Sequence, residues 1–226
     1  DVCSSDLVLV SAKTLRGIPN KWRRRYANPE TMADIFSPDP RCLNLIHYSG
    51  GGEPPTVDDV AALRALGGPL LHGFQFNGIW PLRETIAPLA RGHQVVLQLK
   101  TSAVPALLSD PRIFDSIACM FTESRCHLLL DGSGGRGVPL DPAAMRAHVK
   151  AIRMQRGYYF GLGVAGGLCA ETLPSLSVLR GYEVSIDAEG RLRDGDEGGV
   201  LNREKVRAYL RVAGEVMQAP TAPEKG

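Results

Sequence analysis

The sequence lacks several things that would have named a class at once. No run approaches the roughly 18 apolar residues of a membrane-spanning helix, and no secretory leader is visible. Charge of one sign is not in excess. Lys plus Arg number 26 and Asp plus Glu 24, a net of +2, which makes no case for a nucleic-acid or anionic-membrane partner. The five cysteines (Cys3, Cys42, Cys119, Cys126 and Cys169) are odd in number and show no close CxxC spacing. That excludes both a disulfide framework and a zinc site by pattern, and it suits a reducing, cytoplasmic setting. No GxGxxG follows the first apolar run, which argues against a dinucleotide-binding sheet.

What is present is ordinary globular material. Hydrophobic residues make up 44% and charged residues 22% of the 226, so the chain is not disordered and can bury a large core. At about 150 residues per domain the length fits one large domain or two small ones, and α/β barrels commonly run to this size as one unit. The first seven residues, Asp1 to Leu7, read like a translated sequencing adapter, and the chain does not start with Met. Residues 1–7 are therefore expected to be foreign, residues 8–217 to form one barrel domain, and residues 218–226 to be a frayed Pro- and Ala-rich tail.

Short apolar runs recur along the chain. Expected strands are Leu7–Val10, Leu43–Tyr48, Leu70–Phe76, Val95–Leu99, His127–Leu130, Tyr159–Val164 and Tyr182–Ile186. Most have the continuous apolar character of strands covered on both faces. Between them lie expected helices at Thr56–Leu66, Pro81–Ala90, Val104–Phe121, Pro142–Met154, Glu171–Leu179 and Asn202–Met217. Val60, Leu63 and Leu66 repeat on one helical face, and Val206, Leu210 and Ala213 do so near the end. Asp141-Pro142 and Asn202 have the chemistry of helix starts. Alternation at this spacing predicts βαβ units and a parallel sheet. Seven strands are one short of a (β/α)8 TIM barrel, as expected of a chain missing its first unit.

Glycine-rich stretches follow three expected strands: Gly50-Gly51-Gly52, the segment Gly132–Gly137, and Gly166-Gly167. Glycine after a strand lets backbone N–H groups approach an anion, and it also serves plain turns that need φ > 0. Val164-Ala165-Gly166-Gly167-Leu168 is thus either a phosphate cradle, helped by the helix expected after it, or a turn. Asp131 ends the apolar run His127–Leu130. A carboxyl in such a mouth is either a general acid or a carboxylate that orders its loop. The run Lys21-Trp22-Arg23-Arg24-Arg25-Tyr26 is either a solvated face or an anion-contacting loop.

Asp131-x-x-Gly134-Gly135-x-Gly137-x-x-x-Asp141 resembles the sixth-strand loop of the phosphoribosylanthranilate isomerase family of tryptophan biosynthesis. Gln75-Phe76-Asn77-Gly78 is similar to that family's fourth-strand Gln-Leu-His-Gly. Ala165-Gly166-Gly167-Leu168 is similar to its seventh-strand Ala-Gly-Gly-Leu, with Ala170-Glu171 continuing. Val184-Ser185 and Glu189 fall where its eighth strand ends, and Asn202–Leu210 resembles the start of its last helix. The resemblance covers about residues 42–217.

The resemblance implies a TIM barrel that works without cofactor or metal on a small phosphosugar. The implied reaction is an Amadori rearrangement, an aldose–ketose isomerisation. Asp131 falls on the family's general acid, which protonates the ribose ring oxygen as the ring opens; a base then removes the C2′ proton. Gln75, Asn77, Gly134, Gly135, Gly137, Ala165, Gly166, Gly167 and Ser185 fall on the binding loops, those after the last two strands holding phosphate.

The departures are as definite. The family's base is a cysteine ending its first strand, and here nothing matches it: if Leu7–Val10 is the second strand the cysteine is expected in the missing first unit, and if it is the first, Ser11 or Lys13 is nearest. Turnover by this chain is accordingly expected to be weak or absent. Cys169 lies near the mouth on another strand and reads as structural. The fourth-strand histidine is Asn77, the eighth-strand loop has become Ile186-Asp187-Ala188-Glu189, and the Gly50–Gly52 loop is long. Asp187 puts negative charge near a phosphate. A diverged, noncatalytic phosphosugar-binding barrel is the alternative expectation.

Overall fold

The computed structural model describes residues 4–21, 25–50, 52–110, 126–133, 138–155, 161–195 and 199–218. Its strands are β1 (Ser4–Ser11), β2 (Cys42–Ser49), β3 (Gly73–Asn77), β4 (Gln94–Lys100), β5 (Cys126–Asp131), β6 (Gly161–Ala165) and β7 (Val184–Asp187). The helices are α1 (Ala12–Leu15), α2 (Val57–Gly67), α3 (Arg83–Ala90), α4 (Val104–Ser109), α5 (Pro142–Arg153) and α6 (Arg203–Gln218). Strand order follows chain order. The β1–β2, β2–β3, β3–β4 and β6–β7 ladders are parallel. The alternation of strand and helix thus forms parallel ladders, as the sequence rhythm predicts. Two compact units divide the chain, one of Asp1–Leu99 with Arg112–Leu128, the other of Lys100–Pro111 with Leu129–Gly226.

In the first unit the apolar runs became strands because both of their faces are covered. Phe74, Gln75 and Phe76, which alternate sides of β3, are all buried. Phe76 packs edge-on to Tyr48 with ring centroids 6.2 Å apart. Helix α2 starts where Thr56 and Asp59 cap each other's backbone, and it turns Val60 and Leu63 inward. Strand β1 begins at Ser4 rather than Leu7, pairing Ser4 with Cys42 in register. Leu70 lies in a 3₁₀ turn, so β3 starts later than the apolar run suggests.

The second unit carries the more instructive differences. Asp141 caps α5, accepting from the N–H groups of Ala143 at 2.9 Å and Ala144 at 3.2 Å. Asn202 caps α6 in the same way through Glu204 and Lys205. The expected helix Glu171–Leu179 is instead a seven-residue 3₁₀ helix, Leu173–Leu179. Its leucines explain why. Leu173, Leu176 and Leu179 are three apart, so three residues per turn stack all of them on one face, and all three are buried. Each such burial contributes about 1.5–3 kcal/mol. Helices α5 and α6 both pack on this 3₁₀ segment.

The phase of α6 also differs from the expected one. Leu210 is 42% exposed, while Tyr209, Ala213 and Val216, spaced i, i+4 and i+7, are buried. A tyrosine, not a leucine, therefore occupies the inward position. The helix expected over Val104–Phe121 is α4 as far as Ser109, and residues 111–125 lie outside the described set.

Candidate functional site

The site is assembled in the second unit from the ends of three strands. A Cβ placed on Gly163 would lie 2.8 Å from both Leu129 Cδ1 and Ser185 Oγ. Those three positions of β5, β6 and β7 therefore share a face and a level. Two residues on, side chains return to that face, which puts Asp131, Ala165 and Asp187 on the next level. The ladder agrees, since Ala165 pairs with Asp187 and the Gly132 N–H donates to the Ala165 carbonyl at 3.0 Å. Two carboxyls thus flank one small alanine at the carboxyl ends of the strands.

Asp131 is only 3% exposed. Its Oδ1 accepts from the Ser133 backbone N–H at 2.8 Å and from Ser133 Oγ at 3.0 Å. This hydrogen-bonded cap holds the carboxyl in one orientation. Ser133 is itself buried, and it is a residue that motif matching passes over because it sits between glycines.

Gly166 and Gly167 follow Ala165 with φ of +115° and +61°. A Cβ on Gly166 would sit 2.7 Å from the Ser133 nitrogen and 3.2 Å from Asp131 Oδ1. On Gly167 it would run into the Val138 carbonyl. Both glycines are thus required by conformation and by close approach of the chain's own loops. Neither glycine N–H donates to an acceptor among the described residues. The segment that follows is the short 3₁₀ helix, so the α-helix dipole expected at this turn is not present. Cys169 is buried and hydrogen-bonded into the same turn: its N–H donates to Thr172 Oγ1 at 2.9 Å.

Asp187 is partly buried. Loss of solvent, with the nearby charges of Glu189 and Asp131 next, pushes its carboxyl up to about 6, against the backbone N–H of Ala188. Glu189 is neutralised by Arg193, with Nη2 3.0 Å from Oε1, whereas no cation pairs with Asp187 among the described residues. Tyr209 reaches this region from α6. It is 7% exposed, and its hydroxyl has no hydrogen-bond partner among the described residues. Burial, and then the charge of Asp187, push that hydroxyl upward from the usual phenol range.

Of the residues singled out from sequence, Asp131, Ala165, Gly166, Gly167 and Ser185 come together in this unit. Ser185 is exposed, two residues before Asp187 on the same face of β7. Gln75 and Asn77 belong to the first unit, at the end of β3. There Gln75 Nε2 donates to Gln98 Oε1 at 3.0 Å, and Trp80 Nε1 donates to the Gln98 carbonyl at 2.9 Å. Gly134, Gly135 and Gly137 lie outside the described residues, as do Gly51 and Trp22–Arg24. Ser11 ends β1, where its hydroxyl accepts from the Thr14 N–H at 3.1 Å and donates to Asn20 Oδ1 at 2.6 Å, which makes it a helix cap. Tyr209 is the residue that sequence reasoning missed, and the signal was the i, i+4, i+7 spacing with Ala213 and Val216.

Among the described residues no group of three or more His, Cys, Asp or Glu side chains is placed to hold a metal ion. Among them, too, no helix is long and apolar enough to cross a membrane.

No family model matches the chain, and no curated protein matches it. Solved structures do. The crystal structure of phosphoribosyl anthranilate isomerase from Thermotoga maritima is similar with a TM-score of 0.61 over 94% of this chain and 88% of that one, at 15% sequence identity. At that identity the likeness is one of fold, an α/β architecture of the TIM type.

Proposed function

We propose that the chain is an aldose–ketose isomerase acting on a phosphoribosyl arylamine, N-(5-phosphoribosyl)anthranilate, with Asp131 as the proton donor. The observation that carries this reading is Asp131 itself. A buried carboxyl at a strand's end, fixed by two hydrogen bonds from Ser133 and touching the Gly166 turn, is a positioned acid–base group. The fold likeness supports the same reading, as does the run of motif matches from Gln75 to Glu189.

The chemistry asks for such an acid and for a base. Asp131 gives its proton to the ribose ring oxygen as the C1′–O bond breaks, and the nitrogen lone pair forms the iminium. A base then takes the C2′ proton, which gives the enolamine; no residue of this chain matches the cysteine that does so in the family it resembles. Its tautomerisation to the 2-ketone leaves an aminoketose phosphate of unchanged composition. The N–H groups of Gly166 and Gly167, which donate to no acceptor among the described residues, would receive the phosphate.

The diverged-barrel reading draws on one specific observation, the carboxyl of Asp187 beside that turn. Expression of the chain in a bacterial tryptophan auxotroph lacking this isomerase separates the two. Growth without tryptophan supports the isomerase. Soluble expression without growth favours a binding protein.

A further inference from the structure

The chain holds five asparagines: Asn20, Asn28, Asn44, Asn77 and Asn202. Four of them have their carboxamides engaged. Asn20 accepts from Ser11 Oγ at 2.6 Å and donates to Thr14 Oγ1 at 2.9 Å. Asn28 and Asn202 cap helical turns, accepting from the N–H groups of Glu30 at 3.2 Å and Glu204 at 2.9 Å. Asn44 is wholly buried, its Nδ2 donating to the carbonyls of Ser37 and Leu70. Asn77, in the first unit, is different: its carboxamide makes no hydrogen bond among the described residues.

Asn77 is the last residue of β3. It pairs with Ser49 of β2, but the ladder to β4 has already ended at Phe76. Asn77 is half-buried, and Gly78 after it is exposed. Gly78 has φ of +86°, and a Cβ placed on it would meet nothing within 4 Å. Its N–H donates to no acceptor among the described residues. Glycine has no side chain to shield that nitrogen. The other four asparagines precede Lys21, Pro29, Leu45 and Arg203. Pro29 has no N–H to lose, and the rest carry side chains beside theirs. A labile carboxamide, a bare and unengaged backbone nitrogen and open space thus coincide at one position.

We propose that Asn77-Gly78 is a self-modification site, at which the Gly78 nitrogen attacks the Asn77 carboxamide and residue 77 becomes an acid. The bond from that nitrogen to Cγ forms, and the Cγ–Nδ2 bond breaks. Ammonia leaves with the proton that the Gly78 nitrogen gives up, and a five-membered succinimide remains. Water then opens the ring at either carbonyl. One opening leaves an aspartyl residue at position 77. The other leaves an isoaspartyl residue, whose main chain carries an extra methylene. Nothing is oxidised or reduced, and water is the sole co-reactant. Either product puts a carboxylate at the carboxyl end of β3, negatively charged at neutral pH. The isoaspartyl form also lengthens the main chain within the Ser49–Asn77 pair.

The full chain, held folded at mildly alkaline pH and compared with a fresh sample, tests it. The readouts are released ammonia and the mass of the tryptic peptide Ala65–Arg83, in which Asn77 is the one asparagine. On ageing, the wild-type peptide should gain the mass of an amide-to-acid exchange. Fragmentation should place the gain at residue 77, in two separable forms, aspartyl and isoaspartyl. Peptides with the other four asparagines should keep their mass. Asn77→Gln should release no ammonia over the same period, because its longer side chain would have to close a six-membered ring. The same chain unfolded in urea gives the rate without the fold. A folded wild type that keeps its amide while the unfolded chain loses it would overturn the proposal, since the fold would then protect the pair. Retention of the amide in both states would overturn it as well, and so would conversion spread over the other asparagines of the folded chain.

Discussion

Ser133 reaches the carboxylate of Asp131 twice, from its backbone N–H at 2.8 Å and from its hydroxyl at 3.0 Å, and both bonds end on Oδ1. Both residues are buried, so water does not replace a lost donor. Ser133→Ala removes one of the two bonds and keeps the backbone one. It should lower the unfolding free energy by about 1–3 kcal/mol in urea melts. Any turnover should fall with it, because the acid loses part of its orientation.

Substitution at the glycine turn separates packing from binding. Gly166→Ala forces a side chain into φ of +115°, against the Ser133 nitrogen and Asp131 Oδ1. The strain should cost about 1–3 kcal/mol of stability and should weaken phosphosugar binding as well. Thermal unfolding and calorimetry on the same sample read the two effects. A stable variant with unchanged binding would count against the turn as a phosphate cradle.

Asp187 should make stability fall as pH rises. Its carboxyl ionises near 6 in the folded chain against an ordinary value of 3.8. The folded state therefore holds the proton more tightly than the unfolded one between those values. The penalty is absent below about pH 4, grows through about pH 6 and is constant above it. For a partly exposed group it amounts to about 1–3 kcal/mol. Asp187→Asn should flatten this portion of the stability–pH curve and unfold at higher urea than wild type at about pH 8. A variant that is less stable there would contradict the assigned environment.

Tyr209→Phe should be neutral or stabilising. Its hydroxyl is buried without a described partner, and the removal of such a group relieves a desolvation cost of about 1–3 kcal/mol. A clear loss of thermal stability would mean that the hydroxyl is engaged in the free protein.

Much of this arrangement was legible before the fold was known. The strands show in the sequence because parallel strands covered on both faces must be continuously apolar, as Phe74–Phe76 and Leu128–Leu130 are. Asp131 stands out as an acid closing such a run, and the caps at Asp141 and Asn202 follow from their side-chain chemistry. The 3₁₀ helix was hidden because Leu173, Leu176 and Leu179 at a spacing of three also look like one side of an α-helix. Tyr209 was hidden by its neighbour. Leu210 is the more hydrophobic of the two, but the face is fixed by Ala213 and Val216, and a shift of one residue turns a helix by about 100°. That Asp131 and Asp187 flank Ala165 depends on ladder register, which no local pattern encodes.

The central claim is that Asp131 donates the proton in an isomerisation. The most direct measurement is kcat and KM for N-(5-phosphoribosyl)anthranilate, followed through the anthranilate fluorescence, in wild type and Asp131→Asn. The account predicts turnover by the wild type, however slow. In Asp131→Asn it predicts a fall in kcat of about 10²–10⁴-fold, with KM little changed, because the carboxyl proton is needed chiefly in the transition state. An Asp131→Asn protein that turns over as fast as wild type would contradict it, and so would a wild type that binds the phosphosugar and never converts it.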